Sequence, residues 1–221
     1  MKTTIERLPA GMARWLPLWE IASVVTSCLI AEWAVLVFIG RSKLIMAIPV
    51  GLAFALMWYS HRERAESMRD IGLGPDNFLA SCRLLLIPTA LAVVLVIAFG
   101  WFTSHGHFGA PWRWRFVALP LWALFQQYVL NGFINRRAQM AFGPGMKSIA
   151  LVAVAFSVLH LPSPGLALLT LLAGAIWAFV YQRAPNLYAL ALSHAAVSIT
   201  LALTISPYWL NGLRVGFKYF G

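Results

Sequence analysis

The sequence predicts an all-α fold, a polytopic membrane bundle of about seven transmembrane helices. Three observations predict it. Of the 221 residues, 61% are hydrophobic and 11% are charged, far from the composition of soluble globular chains. The mean hydropathy is +0.76. Apolar runs long enough to cross a hydrocarbon core of roughly 30 Å recur along almost the whole chain, so residues 1–221 form a single integral membrane domain.

The first span, 17–39, is too long for a signal-peptide core and no small-residue cleavage pattern follows it. Further spans are expected at 44–60, 79–102, 114–134, 147–161, 165–183 and 187–205. Turn residues separate the later ones: "GPDN" from Gly74, "GPG" from Gly143, "PSPG" from Pro162 and "APN" from Ala184. Ser163 and Asn186 stand where the last two spans need N-caps. Trp15, Trp19, Trp58, Tyr59, Trp101, Trp112 and Trp114 suit interfacial anchoring.

The net charge of +10 does not point to nucleic acid, because the basic residues lie in short connections and form no polar face. Distributed on alternate sides of the membrane, Lys and Arg number 11 against 6, with Arg136 and Arg137 on the richer side. That asymmetry favours a cytoplasmic N-terminus. Cys28 and Cys82 have neither paired nor metal-binding spacing. All seven acidic residues precede position 77, so chemistry in the later spans proceeds without a carboxylate or borrows one from the first span.

Polar side chains at membrane depth are costly and face the bundle interior, which makes each a candidate functional position. Gln126, Gln127 and Asn131 interrupt the fourth span. Gln127 and Asn131, four apart, share a face, while Gln126 points about 100° away. These amides suit interhelical hydrogen bonds as well as a site. His160, in "FSVLH", ends the fifth span, and His194 and Ser198 lie four apart in "SHAAVS" on the seventh. Imidazole donates, accepts or ligates a metal near neutral pH. Glu32, near the middle of the first span, is too short to snorkel and must be paired, hydrated or protonated. His105 and His107 lie close together in a connection, but two histidines alone make a weak metal site.

Taken together, "QQYVLNG" from Gln126, "FSVLH" from Phe156 and "HAAVS" from His194 resemble the three motifs of the CAAX protease and bacteriocin-processing family, also called the ABI family, of intramembrane endopeptidases. The similarity extends from "DIGLGPDNF" at Asp70 through "FVYQRAPNLYALALSHA", and residues 70–200 form the region that resembles the peptidase core. The resemblance implies that a glutamate and the first histidine activate water, that the second histidine and an asparagine stabilise the oxyanion, and that a second glutamate and an arginine support them. This sequence departs from that pattern. Gln126 and Gln127 stand for the two glutamates, Asn131 for the arginine and Ser198 for the asparagine, while His160 and His194 match.

An amide oxygen is not a general base near neutral pH, and general-base catalysis typically supplies about 10² to 10⁴-fold in rate. The expected protein is therefore a membrane-embedded homologue of these peptidases with lost or altered proteolysis, so whether it is an enzyme stays open. It would bind a peptide, a lipid or a membrane-protein segment in the former active-site cavity. One alternative is a noncanonical peptidase using His160 and His194, with Glu32 as an additional acid. Another is a small transporter or proton relay lined by the same residues. No cofactor or metal is expected, since two histidines without a carboxylate or thiolate hold zinc poorly. The expected partners are membrane lipid and a peptide or membrane-protein substrate or client. The expected location is the plasma membrane of a bacterium.

Overall fold

The computed structural model describes residues 10–35, 43–104 and 115–220. His105, His107, Trp112 and Trp114 lie outside the described residues. Helix α1 (Ala10–Leu29) continues into a π turn, Ile30–Val35. There follow α2 (Lys43–Glu63), α3 (Phe78–Ser104) and α4 (Arg115–Gln127). Helix α4 passes without a break through a π segment, Tyr128–Asn135, into α5 (Arg136–Phe142). Helices α6 (Met146–Val158), α7 (Pro164–Arg183) and α8 (Leu187–Thr204) complete the bundle, and α9 (Pro207–Leu210) leads to short 3-10 turns at Asn211–Leu213 and Gly216–Phe220.

Each of the seven expected spans is helical over most of its described residues. Among the described residues five stretches are long and apolar enough to cross a membrane: Trp15–Ala34, Phe78–Thr103, Val117–Phe142, Pro164–Arg183 and Leu187–Thr204. The chain is an integral membrane protein with a helical bundle fold. Pro17, Pro49, Pro88 and Pro120 sit inside α1 to α4, as membrane helices tolerate when neighbouring groups satisfy the freed carbonyls. The main packing pairs are α6 with α7, α8 with both α3 and α4, and α1 with α2 and α5. Helix α3 is peripheral, presenting Leu86, Ile87 and Phe102 outward, whereas α8 buries Leu187, Leu190 and His194.

Two boundaries differ from expectation. The fourth rod runs on to Phe142 instead of ending near residue 134. "RRAQM" consists of good helix formers, and its two arginines meet carboxylates that the rod reaches by continuing. The fifth helix stops at Val158, before His160. There His160 N–H donates to Ser157 O at 2.9 Å and Leu161 N–H to Val158 O at 3.2 Å, closing a tight turn ahead of Pro162, which has no N–H to extend a helix. Asn186 caps α8, accepting from Ala189 N–H at 2.9 Å, whereas Ser163 occupies the cap position of α7 without a side-chain cap bond.

The two segments of supporting similarity meet in space. Asn186 donates to Gly74 O at 3.0 Å and to Asp76 O at 2.9 Å. Leu187 N–H donates to Gly72 O at 2.8 Å, and Tyr181 Oη–H to Ile71 O at 3.0 Å. Gly72 has φ +83°, and a Cβ there would lie 3.1 Å from the Tyr181 ring, so both backbone and space call for glycine. The "DIGLGPDN" loop is thereby fastened to the α7–α8 connection.

Candidate functional site

Gln127 and Asn131 are both fully buried. Asn131 Nδ2 donates to Gln127 Oε1 at 2.7 Å, and Gln127 Nε2 faces His194 Nδ1 of α8 at 3.3 Å. The same pattern continues toward the far end of the rod. Asn135 Nδ2 donates to Asn131 Oδ1 at 2.9 Å, and Gln139 Nε2 to Asn135 Oδ1 at 3.1 Å. Four amides at intervals of four residues thus form one ladder from His194 to the end of α5.

The π segment explains why the ladder stays straight. In an α-helix, residues four apart are offset by about 40°, which over three steps would carry the ladder about 120° round the rod. The i→i+5 turns between Tyr128 and Asn135 are wider and remove that drift. Gln127 then meets α8 through His194, and Asn135 meets α7 through Ala178 and Gln182. Asn135 Nδ2 also donates to Ala178 O at 3.1 Å, and Gln182 Nε2 donates to Asn135 Oδ1 at 3.0 Å and to Ser148 Oγ at 2.9 Å. Asn135, Gln139 and Gln182 were not singled out in the sequence, although the four-residue spacing of Gln127, Asn131, Asn135 and Gln139 would have found the first two.

The two histidines meet around one aromatic ring. His160 lies 4.6 Å and His194 5.9 Å from Phe156, centroid to centroid. Trp177 stacks on His194 at 4.4 Å and 33°, and its indole N–H donates to Ser193 Oγ. His160 Nδ1 lies 2.7 Å from Phe156 O. A carbonyl only accepts, so Nδ1 carries the proton and Nε2 holds the lone pair. His194 is buried and His160 half-buried.

The remaining predicted positions are less engaged. Gln126 is half-buried and makes no side-chain hydrogen bond among the described residues; the same is true of Ser198, one turn beyond His194. Glu32 sits in the π turn of the first rod, half-buried, with Oε2 buried and unpartnered among the described residues. No hydrogen bond or ion pair joins it to either histidine. It approaches them through Gly216, whose N–H donates to Leu161 O at 2.9 Å and where a Cβ would lie 2.8 Å from Glu32 Cβ. Beside this junction an apolar cleft of about 430 Å³ is lined by Thr26, Leu29, Ile30, Trp33, Val158 and Leu161. Among the described residues no three His, Cys, Asp or Glu gather as metal ligands.

A second polar centre was not anticipated. Arg137, counted in the sequence as an orienting charge in a connection, is fully buried. Its Nη2 lies 2.7 Å from Glu66 Oε2 and its Nη1 3.0 Å from Glu66 Oε1. Its Nε donates to Ser60 Oγ at 3.0 Å, so Glu20 Oε2, 3.2 Å away, acts on it as a charge without an aligned hydrogen bond. Arg136 adds two bonds to Glu66 Oε1, at 2.9 and 2.6 Å, and Arg64 pairs with Glu20 at 2.9 Å. His61 Nδ1–H donates to Glu66 Oε2 at 2.6 Å. Burial would raise the Glu66 pKa, but the bonds from His61, Arg137 and Arg136 outweigh it and hold the carboxyl well below the usual carboxylate range. The sequence signal was the concentration of every acid before residue 77, facing the "RR" pair.

The family model described as type II CAAX prenyl endopeptidase Rce1-like matches residues 109–200. Over that segment the chain is similar to this family. It contains Gln126, Gln127, Asn131, His160, His194 and Ser198, while Glu20, Glu32, His61 and Glu66 lie outside it. Comparison with curated proteins gives no match, and comparison with solved structures gives none. Within the matched segment Gln127, Asn131, Asn135 and His194 form one hydrogen-bonded network of amides and imidazole.

Proposed function

We propose that this CAAX-type intramembrane protease homologue has lost or altered its peptide hydrolysis and holds an apolar membrane segment or lipid chain at the former active site. One observation carries the reading: the buried network that reaches His194 runs Gln127, Asn131, Asn135 and contains no carboxylate. An amide in that place hydrogen-bonds but does not take a proton from water near neutral pH. The four departures, at Gln126, Gln127, Asn131 and Ser198, remove two anions and a cation together, so no buried charge is left alone. The apolar cleft flanked by Val158 and Leu161, on either side of His160 in the chain, supports the binding role.

The test uses purified protein in micelles with prenylated and unprenylated peptide substrates. No cleavage above that of His160→Ala is expected, together with retention of a photo-crosslinkable acyl or peptide probe that Trp33→Ala weakens. Cleavage abolished by His160→Ala would overturn the reading.

A second reading, an active noncanonical peptidase, is favoured by Glu32. Its Oε2 is buried and unpartnered among the described residues, and Gly216 links its turn to the one carrying His160. It predicts peptide cleavage that Glu32→Gln removes while the unfolding midpoint stays within a few degrees. Cleavage unaffected by Glu32→Gln would exclude this role.

A further inference from the structure

Side-chain amides have a direction, with oxygen at one end accepting and nitrogen at the other donating. In a chain of amides, orientation at one link fixes orientation at the next. Two backbone groups set it here. Ala178 O can only accept, so the Asn135 atom 3.1 Å from it is the nitrogen. Gly145 N–H can only donate, so the Gln182 atom 2.8 Å from it is the oxygen, and Gln182 turns its nitrogen to Asn135 Oδ1. Both anchors demand the same orientation of Asn135.

From that end the polarity is transmitted link by link. Asn135 gives its nitrogen to Asn131 Oδ1, Asn131 gives its nitrogen to Gln127 Oε1, and Gln127 is left with its nitrogen toward His194 Nδ1. Neutral imidazole has one protonated and one unprotonated nitrogen. A donor facing Nδ1 requires Nδ1 to be the acceptor, which leaves the proton on Nε2. We infer that Asn131, Asn135 and Gln182 are positioning residues that fix His194 as the Nε2–H tautomer, so that this ring offers a hydrogen-bond donor to whatever occupies the site.

The consequence deepens the proposed function and rests on it for the existence of an occupant. His160 offers the complementary atom, an unprotonated Nε2, because its Nδ1–H is spent on Phe156 O. Neither Nε2 has a protein partner among the described residues. The pair suits a neutral oxygen-bearing group, a carbonyl or hydroxyl that accepts from His194, better than an ammonium, which has no lone pair to offer. The amides complete this donor without any ionised group, whereas with a glutamate at position 127 accepting from Nδ1–H, Nε2 would donate only from the imidazolium.

The experiment is ¹⁵N NMR of histidine side chains in the full-length protein in micelles at neutral pH, assigned by His194→Gln. The expected result is a His194 Nδ1 signal at the unprotonated position and an Nε2 signal at the protonated one. In Asn131→Leu, which cuts the ladder between its anchors and Gln127, both tautomers should appear as averaged or doubled signals, while the His160 signals stay in place. A protonated Nδ1 in the unmodified protein would overturn the inference. So would an unchanged His194 tautomer in a folded Asn131→Leu protein. If that variant fails to fold, Asn135→Leu, which removes the residue held by both anchors, gives the same comparison, with a tautomer shift supporting the inference and no shift opposing it. None of these readings depends on hydrolysis, so the tautomer assignment and the loss of proteolysis stand or fall separately.

Discussion

The continuous rod formed by α4, the π segment and α5 carries two polar centres of opposite kinds. At Gln127, Asn131 and Asn135 it is buried, polar and uncharged, whereas at Arg136 and Arg137 it is charged and paired to Glu20 and Glu66. Both are closely hydrogen-bonded, and Asn135 and Arg136 are adjacent in the chain. The difference lies in what can reach each of them. Glu66 comes from the connection after α2 and Glu20 from α1, so carboxylates are available where the rod ends. Farther along, the neighbours are α7 and α8, and the chain has no acid beyond residue 76 to place there. Desolvating an ion without its partner costs several kcal/mol, and amides satisfy one another without that cost. Within a single helix, charge is kept only where a counter-charge is delivered.

The largest effect should come from breaking this division. Asn131→Arg restores the cation of the family motif without its glutamates. A buried unpaired charge costs roughly 3 to 5 kcal/mol, and the larger side chain adds about 1 to 3 kcal/mol of overpacking. The unfolding midpoint should fall sharply. Adding Gln126→Glu and Gln127→Glu to the same protein should recover part of that loss, and the recovery measures the coupling among the three positions. If Asn131→Arg alone is as stable as the unmodified protein, the ladder is not sealed from water.

Next in size is Glu66→Gln, which leaves Arg137 with the unaligned charge of Glu20 as its counterion. A loss of about 3 kcal/mol is expected, near the low end for a broken buried pair because Glu20 remains. The same carboxylate sets a pH dependence. Its pKa is lowered in the folded protein, so its contribution is fully present above the unfolded carboxylate value of about 4.3 and is lost as pH falls through the folded pKa. Acid titration of unfolding should show little change from this group between about pH 7 and 5 and a steep decline in strong acid. Glu66→Gln should flatten that decline.

The two centres also differ in how far the sequence revealed them. Hydropathy located the helices, five of which among the described residues are long and apolar enough to cross a membrane, because a membrane helix must be apolar over about 20 residues whatever it packs against. Asn131 and Gln127 stood out because amides are rare at that depth. Arg137 did not, since an arginine near the end of an apolar run usually snorkels to the interface, and only the fold brings Glu66 across a sequence separation of 71 residues to enclose it. The continuation of the rod to Phe142 was hidden for the same reason: without its partner, "RR" reads as a boundary. Of the candidate positions, Gln127 and His194 meet, while Gln126 and Ser198 make no side-chain hydrogen bond among the described residues, because spacing reports which face a residue shares and not what stands opposite.

A smaller effect should follow from opening the ladder without adding charge. Asn135→Leu leaves Asn131 Oδ1 and Ala178 O without their shared donor, and buried groups left unpaired cost about 1 to 3 kcal/mol. The loss should fall below that of Glu66→Gln. The reverse order would mean that neutral hydrogen bonds hold the rod more strongly than the ion cluster.

The smallest effect is expected at Gln126, and it discriminates between the two glutamines of the pair. Gln127 is fully buried and bonded on both sides, to Asn131 and His194, whereas half-buried Gln126 lies about 100° round the helix with no side-chain hydrogen bond among the described residues. Gln126→Leu should therefore change the unfolding midpoint by no more than about 0.5 kcal/mol, the range of substitutions away from packed or bonded features. Gln127→Leu should cost about 1 to 3 kcal/mol through the unpaired Asn131 nitrogen and His194 Nδ1. If the two variants are equally stable, both glutamines stand outside the fold's hydrogen bonding. A costly Gln126→Leu would instead require a bonding partner for Gln126 that the present arrangement does not provide, and the neutral centre would then extend beyond the single face defined by Gln127, Asn131 and Asn135.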